Sequence, residues 1–361
     1  MRVAFVHDWL VTYRGGEKVL AALLELYPEA PIFTLFYDAS AMPAHITART
    51  VRVPPLLNSL RPLRKMLLPV LPRAIESLRL ENFDLIISTS SCVAKGAIKG
   101  RNARHLCYIH SPMRYIWDQQ DEYLAGVAHI PGAARAIRAL TPRLRNWDVS
   151  SASRVDRFVA NSSFVRERVQ RLYSRDAAVV HPPIAVDRFR PSGSRGGYFL
   201  AAGALVSYKR FDLAIAACQM AGKRLIIAGS GPMERALRAQ AGGDAEFVIS
   251  PSDAELARLM AEAEALLFPG IEDFGMIAVE AMAAGTPVIA YGAGGARDFI
   301  VPGRTGLFFG EATAEALAQA IRGFNRDQFT AATLVEYAAG YSQGQFLQRM
   351  RSEIESLMFG G

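Results

Sequence analysis

Short, almost unbroken apolar runs alternate with stretches of helical period along most of the chain. RVAFVHDWL reads as a first strand, followed by a glycine-bearing loop, Arg14-Gly15-Gly16-Glu17, and the helical KVLAALLEL. PIFTLF, DLIISTS, RHLCYIH and RFVANS are further strand-like runs, with helical or loop segments between them. Strands that alternate with helices predict parallel sheets with helices on both faces. The second half restarts the pattern. GYFLAAGAL, RLIIAGS, EFVIS, ALLFPG, PVIAYG and GLFF are strand-like, and DLAIAACQMAG, PMERALRAQAG and DAELARLMAEAEA between them are helical. That half alone holds about five βα units, which makes it one Rossmann-like domain.

Between the halves lies HPPIAVDRFRPSGSRGG, where proline opposes helix and glycine loosens the chain, so it reads as a linker. The predicted organisation is a first domain over 1–189, a second over 190–340, and a helix over 341–361 that packs back on the first. A length of 361 residues, too long for one ordinary core, agrees with two domains. With 51% hydrophobic and 21% charged residues, the composition excludes a disordered chain.

Residues 51–80 fit no plain Rossmann unit. Leu, Met and Val are mixed there with five arginines and Lys65, and prolines 54, 55, 62, 69 and 72 break the stretch into short pieces. Such a segment either lies at an anionic membrane interface or covers the core with its leucines inward and its arginines outward. Both readings stay open at this point. No apolar run reaches the roughly 18 residues that span a bilayer, and MRVAFVHDWL lacks the pattern of a signal peptide. The expected location is cytoplasmic, with peripheral contact at the inner face of the cell membrane as the extension of the basic segment.

The formal charge of +7 favours anionic partners. There is no zinc-finger spacing and no aromatic-rich recognition strand, so nucleic acid is the weakest of them. Cys92, Cys107 and Cys218 are widely spaced, which argues against a disulfide framework and against a zinc site.

The segment from Pro269 to Gly285 carries the most chemistry. It follows the apolar ALLF, so Pro269 and Gly270 should end a strand. A helix beginning near Phe274–Gly275 should end at Gly285, and the next strand starts after Thr286-Pro287. The orphan amides of Phe274, Gly275, Met276 and Ile277 would then face the carboxyl edge of a parallel sheet, where they and the helix dipole attract a phosphate. Glu272 in the loop can accept hydrogen bonds from sugar hydroxyls, and Glu280, further along the helix, can reach a ribose. A solvated Glu272 and an ordinary surface Glu280 are the plain alternative.

With that context, the segment resembles the E-x7-E donor signature of the retaining GT-B glycosyltransferases of family 4, with Glu272 and Glu280 as its glutamates. The likeness extends over most of the chain. It includes Arg14-Gly15-Gly16-Glu17, the strand from Asp84, Val159-Ala-Asn-Ser-Ser, Val180-His-Pro-Pro-Ile, Leu205-Val-Ser-Tyr-Lys-Arg-Phe-Asp and Gly229-Ser-Gly-Pro. The resemblance implies an α/β GT-B fold, two Rossmann-like domains facing each other across a cleft that holds a nucleoside-diphosphate sugar.

It also implies roles for single residues. Lys209 would contact the donor diphosphate, with Arg210 as support or as a mere ion-pair partner. Gly15 and Gly16 would let backbone approach the donor phosphate or the acceptor. Glu272 would hold sugar hydroxyls, Glu280 the ribose, and the amides of Phe274, Gly275, Met276 and Ile277 the sugar and diphosphate. His110 would sit near the donor sugar, or else cap the loop before Pro112; His7 and Asp8 are rival groups on the acceptor side. One position departs from the pattern. The family usually has an arginine five residues before the lysine, and Ala204 stands there, with Arg14, Arg210 and Arg297 as candidate replacements.

The implied enzyme needs no metal or other cofactor. The leaving phosphate is stabilised by Lys209 and helix amides, and itself takes the acceptor's proton. The start of the chain and Tyr208-Lys209-Arg210-Phe211-Asp212 look most like bacterial polysaccharide mannosyltransferases using GDP-mannose, with a glycan or lipid-diphosphate-linked oligosaccharide as acceptor. A transferase using a UDP-sugar such as UDP-glucose, and a degenerate nucleotide-sugar-binding protein without turnover, remain alternatives. A Rossmann oxidoreductase fits less well, because the first loop lacks G-x-G-x-x-G.

Overall fold

The computed structural model describes every residue except 65, 119, 121–123, 125–131 and 361, and at 133, 134 and 136 only the backbone. The chain divides into two units, Met1–His181 with Phe346–Gly361, and Pro182–Gln345. The change of unit thus falls inside His-Pro-Pro-Ile, ahead of residue 190, and the C-terminal segment belongs to the first unit from Phe346 on.

The first unit is built on seven parallel strands: β1 (Val3–His7), β2 (Ile32–Thr34), β3 (Val51–Arg52), β4 (Leu85–Ser90), β5 (Arg104–Ile109), β6 (Arg157–Ala160) and β7 (Ala177–Val179). Their order is β3-β2-β1-β4-β5-β6-β7. β1 runs beside β4 from Val3↔Leu85 to His7↔Thr89, and both are buried at every residue. Covering on both faces explains why these strands read as continuous apolar runs instead of alternating ones. The helix Gln343–Phe359 presents Phe346, Met350 and Ile354, four residues apart on one stripe, to a core that includes Phe5 and Tyr108. Arg157 pins it through an ion pair with Glu353 at 3.0 Å.

The second unit holds six parallel strands: β8 (Tyr198–Ala202), β9 (Arg224–Ala228), β10 (Ala245–Val248), β11 (Leu266–Phe268), β12 (Val288–Tyr291) and β13 (Gly306–Phe309). Their order is β10-β9-β8-β11-β12-β13. Each unit therefore has a topological switch point, where the strand order reverses and a crevice opens beyond the carboxyl ends: between β1 and β4 in the first, between β8 and β11 in the second. Among the described residues no helix is long and apolar enough to cross a membrane.

One long helix escaped the sequence reading. Ala133–Ser151 runs through Pro142 and carries Asp148 into the first unit's interior. There the Lys95 ammonium reaches Asp148 Oδ1 at 3.0 Å and donates to the Asp148 carbonyl and Ser151 Oγ, each at 2.6 Å. Trp117 Nε1 and the Tyr173 hydroxyl donate to the other carboxylate oxygen at 2.8 Å. The buried pair ties the helix to the turn after β4, because either charge left alone would be costly.

Candidate functional site

In the first unit, the predicted groups gather at the β1–β4 switch point. β1 ends at His7, whose Nδ1 lies 2.6 Å from Thr89 Oγ1 near the end of β4. The loop after β1 leads into the helix Gly15–Leu23, closed at its start by Glu17, which accepts from the Arg14 amide at 3.0 Å. Burial opposes the Glu17 carboxylate, but the His7 imidazole 3.9 Å away and the amides of the helix start outweigh it and hold its pKa below the usual 4.5. His110 follows β5 directly; its amide donates to the Ser90 carbonyl at 2.8 Å and its carbonyl accepts from Asn161 Nδ2 at 3.1 Å.

Gly16 brings these groups together. A Cβ at that position would lie 3.7 Å from His110 Nε2 and 3.9 Å from His7 Cε1, so both rings stand against the helix start. Gly15 is the first residue of the same helix. Asp8 is a different case. Its two oxygens accept from the amides of Ser91, Cys92, Val93 and Ala94 at 2.6–2.9 Å, and Ser91 Oγ adds a contact at 3.2 Å. With 1% exposure it holds the turn after β4 in shape, and has no lone pair to spare for an acceptor.

In the second unit, the loops leaving β8 and β11 meet at the other switch point. Lys209 ends a short 3-10 turn after β8, and Glu272 lies in the loop after β11; Lys209 Nζ donates to Glu272 Oε1 at 2.6 Å. The contact depends on Gly270, where a Cβ would lie 2.7 Å from Lys209 Cα and press on the Tyr208 carbonyl. The Gly292–Gly295 turn after β12 closes from another side, with the Gly295 amide donating to the Glu272 carbonyl at 2.9 Å. Glu272 is thereby fixed through its backbone as well as its carboxylate.

The helix after Glu272 spans Met276–Ala283, with Gly275 as its cap at φ 100°. Its first amides have no intrahelical partner and face the same loops. Phe274 contributes backbone alone, because its ring is buried against Phe299 and Tyr341. Met276 and Ile277 are half-buried, and Glu280 lies one turn further along, also half-buried. At the far end the Thr286 amide returns to the Ala281 carbonyl at 2.9 Å and Gly285 takes φ 81°, the left-handed stop expected of that glycine.

Arg210 stands apart from Lys209. It adopts φ 55°, and its guanidinium forms a fork with the Asp212 carboxylate at 2.9–3.1 Å, which raises its pKa further. Arg297 is exposed, with Nε on the Gly292 carbonyl at 2.8 Å. Ala204 sits half-buried in the loop after β8, ahead of Lys209, and brings no charge. Among the described residues no group of three His, Cys, Asp or Glu side chains is arranged to hold a metal ion.

Residues 13–188 match the model of Glycosyltransferase Family 4, and residues 187–340 match Glycosyl transferases group 1. The chain carries these two glycosyltransferase domains. Among curated proteins, the chain is 29% identical over 223 residues to a D-inositol 3-phosphate glycosyltransferase of Streptomyces avermitilis. That match covers 52% of this chain and 48% of the relative, so the alignment spans about half the length of each. Among solved structures, Anabaena HepE in complex with UDP superposes with a TM-score of 0.72 at 17% identity, over 99% of this chain and all of HepE. Sucrose-phosphate synthase from Thermosynechococcus elongatus gives 0.72 at 17% over the whole of both chains. At such identities the likeness establishes the fold: two Rossmann-like parallel-sheet units of the GT-B glycosyltransferases.

Proposed function

We propose that the protein transfers a hexosyl group from a nucleoside-diphosphate sugar to a glycan or lipid-diphosphate-linked oligosaccharide, with retention of anomeric configuration. The observation that carries this reading is the 2.6 Å contact of Lys209 with Glu272, at the second unit's switch point and beside the free start of the helix Met276–Ala283. A cation, a hydroxyl-accepting carboxylate and a row of amides side by side are what a sugar joined to a diphosphate requires. In this scheme Lys209 and the helix amides take up the charge that develops on the leaving phosphate, and Glu272 orients the sugar. The departing phosphate accepts the acceptor's proton, so the step asks for no metal and no covalent nucleophile.

Mannose from GDP-mannose is the donor we place first, on the likeness of the chain's first residues and of Tyr208–Asp212 to polysaccharide mannosyltransferases. A UDP-sugar is the second reading, because HepE, with the same fold, has been crystallised with UDP-glucose. The test is a thermal-shift panel of GDP-, UDP-, dTDP- and ADP-sugars, since a ligand specific to the folded state raises Tm by mass action. The responding base names the donor, and D-inositol 3-phosphate belongs in the follow-up transfer assay as a comparison acceptor. No shift with any nucleotide sugar would refute the proposal. A shift without transfer to any acceptor would leave a binding protein, the outcome that Ala204 makes worth testing.

A further inference from the structure

The basic segment at 51–80 divides its apolar residues between two directions. Leu68, Leu71 and Ile75 are buried in the core of the first unit, with Leu57 and Leu67 packed against them. Leu56, Leu60, Leu63, Met66 and Val70 are exposed, Leu56 to 82%. No two of these five share a helix; what they have in common is exposure within one short stretch of the chain. The stretch is a chain of short turns, Pro55–Ser59, Arg61–Leu63, Leu68–Val70 and Leu71–Glu76, as its prolines demand. The leucines therefore do not all serve the core, and the plain covering-segment reading leaves five large side chains in water without a purpose.

The charge around them has one sign. From Val51 to Ile75 the sequence holds Arg52, Arg61, Arg64, Lys65 and Arg73 and no acidic residue; Lys65 lies outside the described residues. Arg52 and Arg73 are exposed, as is Arg79 just beyond. Arg61 is engaged, by Asp38 at 3.2 Å and by the Tyr37 carbonyl at 2.8 Å, and it anchors the segment to the loop after β2. The Tyr37 amide donates to Asn58 Oδ1 at 2.7 Å and reinforces that anchor. The loop after β2 leaves the same carboxyl edge of the sheet as His7 and His110, so the segment is tied to that edge.

We propose that Leu56, Leu60, Leu63, Met66 and Val70, with Arg52 and Arg73 around them, form a docking surface for a membrane rich in anionic lipids. Leucine and methionine side chains enter the acyl boundary while the arginines stay among the phosphates, each cation contributing a step of affinity that salt screens. A protein partner would be expected to offer carboxylates against this surface. The short broken turns suit a planar, deformable partner better. A lipid-linked acceptor would be delivered beside the His7, Gly16 and His110 cluster, although the docking surface does not depend on the donor reading.

The experiment is co-sedimentation of the full chain with vesicles of phosphatidylcholine alone and of phosphatidylcholine mixed equally with phosphatidylglycerol. The variants are Leu56→Ser/Leu60→Ser/Leu63→Ser and Arg52→Ser/Arg73→Ser. Binding is expected to the mixed vesicles only, to weaken with added salt, and to fall about fivefold for each arginine removed. The triple leucine variant should lose at least about tenfold. Donor-induced thermal shifts should be unchanged in every variant, which separates failure of this surface from failure of the transferase reading. No binding to anionic vesicles, or binding that survives the triple variant, overturns the proposal. So does a variant-sensitive dimer in size-exclusion chromatography, which would make the face a contact between copies of the chain.

Discussion

If Lys209 holds Glu272 before any donor arrives, the two side chains are energetically coupled in the free protein, and the coupling can be measured. The contact is a single charge-assisted hydrogen bond of 2.6 Å, with the side chains 10% and 18% exposed. Two unit charges about 4 Å apart attract by about 4 kcal/mol at an effective dielectric near 20, a gross figure from which desolvation and side-chain ordering subtract. Hydrogen bonds to charged groups retain about 1.5–3 kcal/mol net, and a site this well shielded belongs in that range rather than with exposed pairs. Lys209→Met, Glu272→Gln and the double variant close a thermodynamic cycle. Urea unfolding followed by far-ultraviolet circular dichroism reads it. Tryptophan fluorescence tracks the first unit separately, because Trp9, Trp117 and Trp147 all lie there.

The expected coupling energy is about 1.5–3 kcal/mol without donor. It should shrink when a donor saturates the site, because the ammonium then divides its hydrogen bonds between the carboxylate and the diphosphate. Donor affinity in Lys209→Met should fall about ten- to hundredfold, the same energies expressed as a binding ratio. A coupling below about 0.5 kcal/mol in the free protein, the level at which independent sites add, would refute the claim that the pair is preassembled. Unchanged donor affinity in Lys209→Met would refute its place in the site.

Two further substitutions test other parts of the structure. Gly270→Ala sets a methyl 2.7 Å from Lys209 Cα and should cost about 1–3 kcal/mol by overpacking while weakening donor binding. Gly243→Ala, with nothing within 4 Å, is the control, and equal effects of the two on thermal-shift titration would contradict the loop contact. In the first unit, burial, with help from Lys99, pushes the His105 pKa from 6.5 down to about 3. The folded unit thus keeps this ring neutral. The stability this provides is complete above pH 6.5 and is lost as pH falls toward the folded value. At pH 5 the loss is about 2 kcal/mol. Tryptophan-monitored urea unfolding at pH 7 and pH 5 should show this difference in the native chain and lack it in His105→Gln; an equal difference in both would assign the acid sensitivity elsewhere.

What the sequence disclosed and what it withheld divide along one physical line. The stretch from Pro269 to Gly285 was legible almost to the residue because its signals are local: an apolar run, a glycine cap, a helical turn or two, and a glycine at positive φ. The same holds for the strands of both sheets except β3 and β7, which are two and three residues long and owe their existence to the neighbours they pair with. Contacts between distant loops carry no such signature. Lys95 and Asp148 meet in the core only because a helix crosses Pro142, the residue that in the sequence argues against that helix. Asp8 reads as a free acid beside a histidine, but four amides from the turn after β4 consume it. Arg210 shows the limit most sharply: the resemblance placed Lys209 on the diphosphate but left Arg210 open between support and a mere ion pair. The left-handed turn at Arg210 sends the two side chains to different acids, Glu272 in the site and Asp212 on the following helix. A second cation for the diphosphate, absent at Ala204, therefore has no ready substitute in Arg210, which would have to abandon a bidentate carboxylate to provide it. Within the second unit the groups left for the diphosphate are Lys209, the helix amides and the exposed Arg297, whose Nε is bound to the Gly292 carbonyl.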